Sequence, residues 1–286
     1  MKIKSILLLA ITFFIATNVN SQINLGDRAL GALSNAIKGF TFSDEDAANL
    51  SRVAVAKMDK ENPVATANDP YTKRLNSVFG KHANEAGLTL NFKVYKIKDI
   101  NAFACADGSV RVFTGLMDIM DNNELLAVIG HEIGHVANHD SRDAAKAAYK
   151  KQALIDGISS QSDKVAAISD SQLGKIGSAM IDSKHSRNQE SDADNYSYDF
   201  MKRNGYNVNA VESAFNILAN MSTGAQSDIL QNMMASHPDP GYRAANAKAR
   251  AQADGLYKLY VKQPIGKVSK TIIKKTITKK TIKKKK

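Results

Sequence analysis

The chain of 286 residues has one cysteine, Cys105. No internal disulfide can form, so stability must come from a packed core, which a chain of this length can build. Cys105 is expected to be a small buried apolar residue. Long apolar runs are scarce too. The run from Ile6 to Ala16 falls short of the ~20 residues that a membrane-spanning helix needs. It follows Lys2 and Lys4 and precedes Val19-Asn20-Ser21, which are small or short residues before Gln22. That order predicts a signal peptide over residues 1–21, cleaved on export. No cysteine stands at this junction, so the expectation is an exported chain of the periplasm or cell envelope that is not a lipoprotein.

Acidic residues are absent from 262–286, which hold 11 lysines. The net charge of the whole chain is +11, so the remainder is neutral overall. The high basicity belongs to a tail and not to a basic groove, which argues against a nucleic-acid-binding body. The tail repeats itself as Thr271-Ile272-Ile273-Lys274-Lys275, Thr276-Ile277-Thr278-Lys279-Lys280 and Thr281-Ile282-Lys283-Lys284. A five-residue period fits neither a helix nor a strand. It reads as a solvated, disordered extension, with electrostatic contact to an anionic membrane or envelope polymer as its candidate role. The expected organisation is a signal peptide (1–21), one domain (22–261) and a lysine-rich tail (262–286).

Within the domain, 43–60 and 70–86 read as helices on either side of a break between Pro63 and Pro70. Leu88 to Val94 alternates apolar and polar residues and reads as a strand. Ala102–Cys105 and Val110–Phe113 read as two short strands joined by an Asp107-Gly108 turn. Residues 142–184 look helical with serine-rich breaks. Further helices are expected from Arg187 to Arg203, ended by Asn204-Gly205, from Asn209 to Met221, and after Pro240. Helices dominate and the sheet is small, so the class is α+β, with an antiparallel sheet beside a metal-binding helix.

That helix carries the most informative motif, His131-Glu132-Ile133-Gly134-His135. Histidines four residues apart lie one turn apart on one helix face, so both imidazoles can reach one zinc ion. Glu132 projects beside them, where it can take a proton from an attacking water. This is the zinc metallopeptidase arrangement. Asp121 followed by Glu124 resembles a capping box that starts the helix, and Leu125, Leu126, Val128, Ile129 and Val136 supply its apolar face.

Catalytic zinc usually has three protein ligands. Asn138 and Ser141 stand where a metzincin would need Gly and His. His139 lies one turn beyond His135 on the same helix face, and three ligands along one helix do not close a tetrahedron. It reads as a helix-end residue. Downstream, Glu190 and Asp194 are i and i+4 on another predicted helix. One carboxylate can ligate while the other orients a ligand histidine; an acidic surface helix is the alternative.

His131-Glu132-x-x-His135 with Arg187-x-x-Glu190-x-x-Ala193-Asp194 resembles the zinc peptidase family that contains HtpX and the CAAX prenyl endopeptidases. Asn101-Ala102-Phe103-Ala104, Asp107-Gly108-Ser109-Val110 and Thr114-Gly115-Leu116 are similar to the strand segment before its metal helix. Ser236-His237-Pro238 with Arg243 resembles its His-Pro element. The pieces occur in family order over roughly residues 70–250, and Cys105-Ala106-Asp107-Gly108 stands where the family commonly has Pro-Gly-Gly. The chain looks like a soluble, exported bacterial branch.

The resemblance implies a gluzincin-type fold with one zinc per chain on His131, His135 and Glu190, and Asp194 steadying a ligand histidine. It implies Glu132 as general base, with His237 and Arg243 as donors to the oxyanion. His237 could instead fill the fourth zinc position at rest. The implied substrate is a polypeptide held along Asn101, Ala102, Phe103 and Ala104. The function expected is an envelope zinc endopeptidase acting on unfolded or misassembled proteins. A chaperone-like peptide binder with the same zinc site, and an adaptor acting through its tail, are the alternatives.

Overall fold

The computed structural model describes residues 42–156, 168–222 and 227–264. The expected signal peptide and the tail beyond Pro264 lie outside the described residues, as does the serine-rich break near 159–162. Among the described residues, no helix is long and apolar enough to cross a membrane.

Helix α1 (Asp44–Glu61) starts at a capping box in which Ser43 and Asp46 satisfy each other's backbone N–H. Helix α2 (Pro70–Phe79) follows, with Asp69 as its cap. The expected helix over 70–86 ends early. A single 3-10 turn (Gly80–His82) leads into a hairpin of β1 (Asn84–Glu85) and β2 (Leu88–Thr89). Ala86 and Gly87 make its turn with φ of 54° and 74°, a left-handed conformation no helix accommodates. The expected Leu88–Val94 strand is split at Leu90, whose N–H goes to Ala83 while that of Asn91 goes to Gly108.

Strands β3 (Asn91–Tyr95), β4 (Ala102–Ala104) and β5 (Ser109–Phe113) form a sheet of order β3-β5-β4. The β4–β5 pair is antiparallel, as the Asp107-Gly108 turn predicts. β3 joins β5 in parallel, so the sheet is mixed. Arg111 on β5 is buried and bonds both Asp59 carboxylate oxygens at 2.8 and 2.9 Å, which ties α1 to the sheet. Burial alone would raise the Asp59 carboxyl, but hydrogen bonds from Arg111, Lys93 and Tyr95 outweigh it and hold it at about 2.

Then come α3 (Thr114–Ile119), α4 (Asn122–Ala137), α5 (Asp140–Asp156), α6 (Asp170–Ile181), α7 (Arg187–Arg203), α8 (Asn209–Ser222), α9 (Ser227–Ser236) and α10 (Pro240–Ala253). Helices α3 and α9 were not anticipated; both are short. The main core joins the sheet to α2, α4, α7, α8 and α10. A second apolar cluster joins α1, α5 and α6 to Phe103 and Cys105.

Helix α4 is buried along nearly its whole length. Asp121 caps it: one carboxylate oxygen accepts the N–H groups of Asn123 and Glu124, and the Glu124 side chain accepts the N–H of Asp121. The other Asp121 oxygen accepts Tyr260 Oη and the N–H of Gln263, both at 2.6 Å. Lys262 Nζ donates to the Ile119 carbonyl at 2.6 Å. Through Lys262 and Gln263 the chain is hydrogen-bonded to the end of α3 and to the residue that caps α4.

Helices α4 and α7 meet through small residues. A Cβ added at Gly134 would lie 2.9 Å from the Cα and carbonyl oxygen of Ala193. Ser197, one turn along α7, donates to the Ala127 carbonyl at 2.6 Å. This close approach brings the two predicted ligand helices together. Gly134→Ala should therefore destabilise the protein. Overpacking costs ~1–3 kcal/mol, against at most ~1 kcal/mol gained in helix propensity. A lowered Tm, measured calorimetrically with zinc in excess, is the expected result. An unchanged or raised Tm would show that the helices part freely.

Candidate metal centre

His131 and His135 project from α4 on one face, with ring centroids 4.5 Å apart. Glu190 reaches them from the first turn of α7, which Ser186 and Gln189 cap. His237 follows the end of α9. The four side chains are buried, and each places a ligand atom in one cluster. His131 Nε2 lies 3.0 Å from His135 Nε2 and 3.2 Å from His237 Nδ1. Glu190 Oε1 lies 3.0 Å from His237 Nδ1 and 3.4 Å from His135 Nε2, and Glu190 Oε2 lies 3.6 Å from His131 Nε2.

These spacings fit zinc. Bonds of ~2.0–2.1 Å to four tetrahedral ligands imply ligand–ligand edges of about 3.3–3.4 Å. The observed edges bracket that value, and nitrogen and carboxylate oxygen are the donors zinc takes. Two buried carboxylate oxygens, Glu132 Oε1 and Glu190 Oε2, have no hydrogen-bond partner. The approach of Arg243 Nη1 to Glu190 Oε2 at 2.7 Å is a charge contact without hydrogen-bond geometry. Buried carboxylate oxygens without hydrogen bonds are costly, and a metal cation would offset the cost that the Arg243 contact leaves.

A second layer orients the donors. His131 Nδ1 lies 2.9 Å from Asp194 Oδ1. His135 Nδ1 lies 2.9 Å from Asp140 Oδ2, and Gln189 Nε2 donates to the other Asp140 oxygen at 2.9 Å. His185 stacks on His135 with centroids 3.8 Å apart. Asp140 and His185 were not anticipated. Asp140 comes just after the helix break, where periodicity has no hold, and His185 precedes the cap of α7. His139, with φ of 68°, occupies that break and is exposed. It stands apart from the donor cluster.

Arg243 departs from its expected place. Its guanidinium is held by Asp194 at 2.6 and 2.9 Å, touches Glu190, and lies 4.0 Å over the Phe215 ring. It stands behind the carboxylates and is absent from the walls of the cleft. Its Nε and Nη2 bond Asp194 while Nη1 lies 2.7 Å from Glu190 Oε2, so the guanidinium faces the carboxylates.

The electrostatics follow from burial and this ring of charges. Burial, then Arg243 and the neighbouring His135, lower His131 to about 3. Burial would also lower His135, but hydrogen bonds to Asp140 and Glu190 win and raise it to about 9. The carboxylates that hold a proton there also favour a metal cation. Burial opposes ionisation of Glu190, yet His131, His135, His237 and Arg243 keep it well below the carboxylate range. Burial raises Glu132, with the nearby histidines acting against that rise.

Glu132, His135, His185 and His237 line a cleft beside β4. β4 forms its rim: Ala102, Phe103 and Ala104 are all cleft residues, while Asn101 is buried and its side chain accepts the Ala102 N–H at 2.9 Å.

The family model described as Peptidase family M48 matches residues 71–251. Metalloprotease LoiP of Escherichia coli (strain K12) is 36% identical over 257 residues, which cover 90% of this chain and 100% of that protein. Metalloprotease YcaL of the same strain is 40% identical over 225 residues, 78% of this chain and 86% of its own length. Protease HtpX of Stenotrophomonas maltophilia (strain R551-3) is 28% identical over 226 residues, 74% of this chain and 71% of its own. The family match runs through both helices that carry the donors, and with a single zinc site of His and Glu donors the chain belongs to peptidase family M48 as a zinc-dependent metalloendopeptidase.

Proposed function

We propose that this enzyme cuts unfolded or misassembled polypeptides of the bacterial cell envelope, with His131, His135 and Glu190 holding zinc and Glu132 as general base. The observation that carries the reading is Glu132 itself. Its carboxylate is buried at the cleft, beside the donor cluster, with one oxygen unpaired and its pKa raised. A carboxylate poised in that way is suited to accept a proton near neutral pH. Zinc bound there supplies a nucleophile at neutral pH and polarises the scissile carbonyl.

Glu132 takes the proton of the attacking water and passes it to the leaving amine. Asp194 and Asp140 fix the ring orientation of His131 and His135, and Arg243 holds Asp194 in turn. His237 would supply a fourth donor to the metal, a position that a catalytic site must open. In this reading it occupies that position at rest and yields to substrate. Its Nε2 lies 3.7 Å from Glu132 Oε1, and in this reading it would then donate to the oxyanion. The edge of β4 supports an extended peptide, which suits chains that have lost their fold.

Export rests on the N-terminal pattern of Lys2, Lys4 and the Ile6–Ala16 run. The lysine-rich tail is assigned contact with anionic lipid or envelope polymer. Casein cleavage by the zinc-loaded protein, abolished by a chelator and restored by zinc, tests the enzymatic reading; faster cleavage of unfolded than of folded substrate tests the substrate class. Removing residues 265–286 should leave peptide cleavage unchanged while weakening binding to anionic vesicles, and that binding should fall with salt. Equal vesicle binding by the truncated chain would reject the tail's role.

A further inference from the structure

Beyond α10 the chain forms a strap that takes no part in the reaction. The helix stops at Gly255, whose φ of 66° reverses the backbone, and the N–H of Leu256 closes on the Ala251 carbonyl. Residues 256–264 then form neither helix nor strand. Side chains pin them to the body instead. Asn209, at the start of α8, donates to the Leu256 carbonyl at 3.1 Å and accepts the Lys258 N–H at 2.9 Å. Leu256, Tyr257 and Tyr260 pack against the main core. Tyr260 and Gln263 bond Asp121, and Lys262 Nζ reaches the buried Glu124 carboxylate at 3.3 Å.

With the tyrosines turned inward, Leu259 and Val261 point outward, 84% and 69% exposed. Single exposed apolar residues are ordinary on a folded surface. These two differ in their setting. They flank the anchored Tyr260 and lie between Lys258 and Lys262, and the lysine-rich tail follows directly. From Gly255 to Lys286 the sequence holds no acidic residue. The surface thus offers aliphatic tips surrounded by positive charge. An anionic polymer matches the charge but has no hydrocarbon to receive the tips. A bilayer with anionic headgroups has both, charge at its surface and an apolar layer just beneath.

We propose that the strap docks on an anionic lipid bilayer, with Leu259 and Val261 entering the boundary between headgroups and acyl chains while Lys258, Lys262 and the tail lysines hold the headgroups. The inference rests on the tail's assigned contact with an anionic surface and deepens it from electrostatic attraction to shallow insertion. Because the strap is fastened to the cap of α4, the docked segment has a set relation to the metal helix. Asp121 stands at one end of that helix and His135 near the other, about 20 Å along its axis. The lipid contact and the hydrolytic cleft therefore lie toward opposite ends of α4.

The chain contains no tryptophan, so a single introduced one reports alone. Full-length, zinc-loaded Leu259→Trp is mixed with vesicles of phosphatidylcholine, with and without phosphatidylglycerol. On the phosphatidylglycerol vesicles its emission should shift to the blue and be quenched by lipids brominated near the headgroup. Ile155→Trp, at an exposed site on α5, should show neither change. The double variant Leu259→Ser with Val261→Ser should bind the anionic vesicles roughly tenfold or more weakly, since its strap has no aliphatic area to bury. Both positions are exposed, and zinc content with circular dichroism verifies the fold. Salt-sensitive binding of the full chain, with Leu259→Trp emission unmoved and the serine pair binding equally, would overturn the proposal and leave the tail's electrostatic contact standing. Absence of any binding by wild type to anionic vesicles would overturn that contact, and the proposal with it. A dimer in light scattering that the serine pair abolishes, without a fluorescence change on vesicles, would overturn the proposal by assigning this face to a second copy of the chain.

Discussion

Glu132→Gln is expected to lower turnover by at least ~10²–10⁴-fold, the range typical of general acid–base groups, while zinc and fold are kept. Gln matches Glu in size and still hydrogen-bonds, but it cannot accept the proton of the attacking water. The fold should tolerate the change, because burial already raises the Glu132 carboxyl and one of its oxygens lacks a partner. Removing the charge relieves a desolvation cost, so Tm should hold or rise. The measurement is kcat on one peptide beside zinc per chain for wild type and mutant. Near-normal turnover with full zinc would show that another group moves the proton.

Glu190→Ala should lose most of its zinc and all measurable activity. Glu190 is the one non-histidine donor in the cluster, and it approaches from α7, a direction that α4 does not supply. Its removal also leaves the Arg243 guanidinium facing His131 with less opposing charge, which disfavours a dication further. Asp194→Ala removes the partner of His131 and should weaken zinc affinity by ~10–100-fold. His139→Ala should change neither zinc nor activity, since His139 is exposed at the break between α4 and α5. Zinc per chain after dialysis ranks the three variants. Because a ligand that binds only the folded state stabilises it, zinc addition should raise Tm strongly in wild type and weakly in Glu190→Ala. Full zinc retention in Glu190→Ala would overturn the ligand assignment.

The parts of this site that were legible in sequence are those written in local spacing. His131, Glu132 and His135 announce themselves through one helical turn, Glu190 and Asp194 through another, and the caps at Asp121 and Asn204 mark the ends of their helices. What escaped reading depends on contacts between distant segments or on broken periodicity. Asp140 meets His135 only because the chain turns at His139. His185 reaches His135 from the far side of α6, across a stretch with no repeating pattern. Resemblance marks the presence of Arg243 but not its direction, and only packing against Asp194 and Phe215 turns its guanidinium toward the carboxylates. The hairpin at Ala86-Gly87 was read as helix because Ala carries no turn signal, and the parallel β3–β5 pair has no local signature at all.

The cap of the metal helix also sets an order of assembly. Half of the Asp121 carboxylate is satisfied by Tyr260 and Gln263, which come 139 and 142 residues later in the chain. A polypeptide leaving a ribosome N-terminus first presents α4 long before those partners exist. During that interval a buried carboxylate at the head of the helix lacks two of its donors, and His237 and Arg243 have not arrived either. The donor cluster and the cap of its helix therefore both need residues from the C-terminal part of the described body.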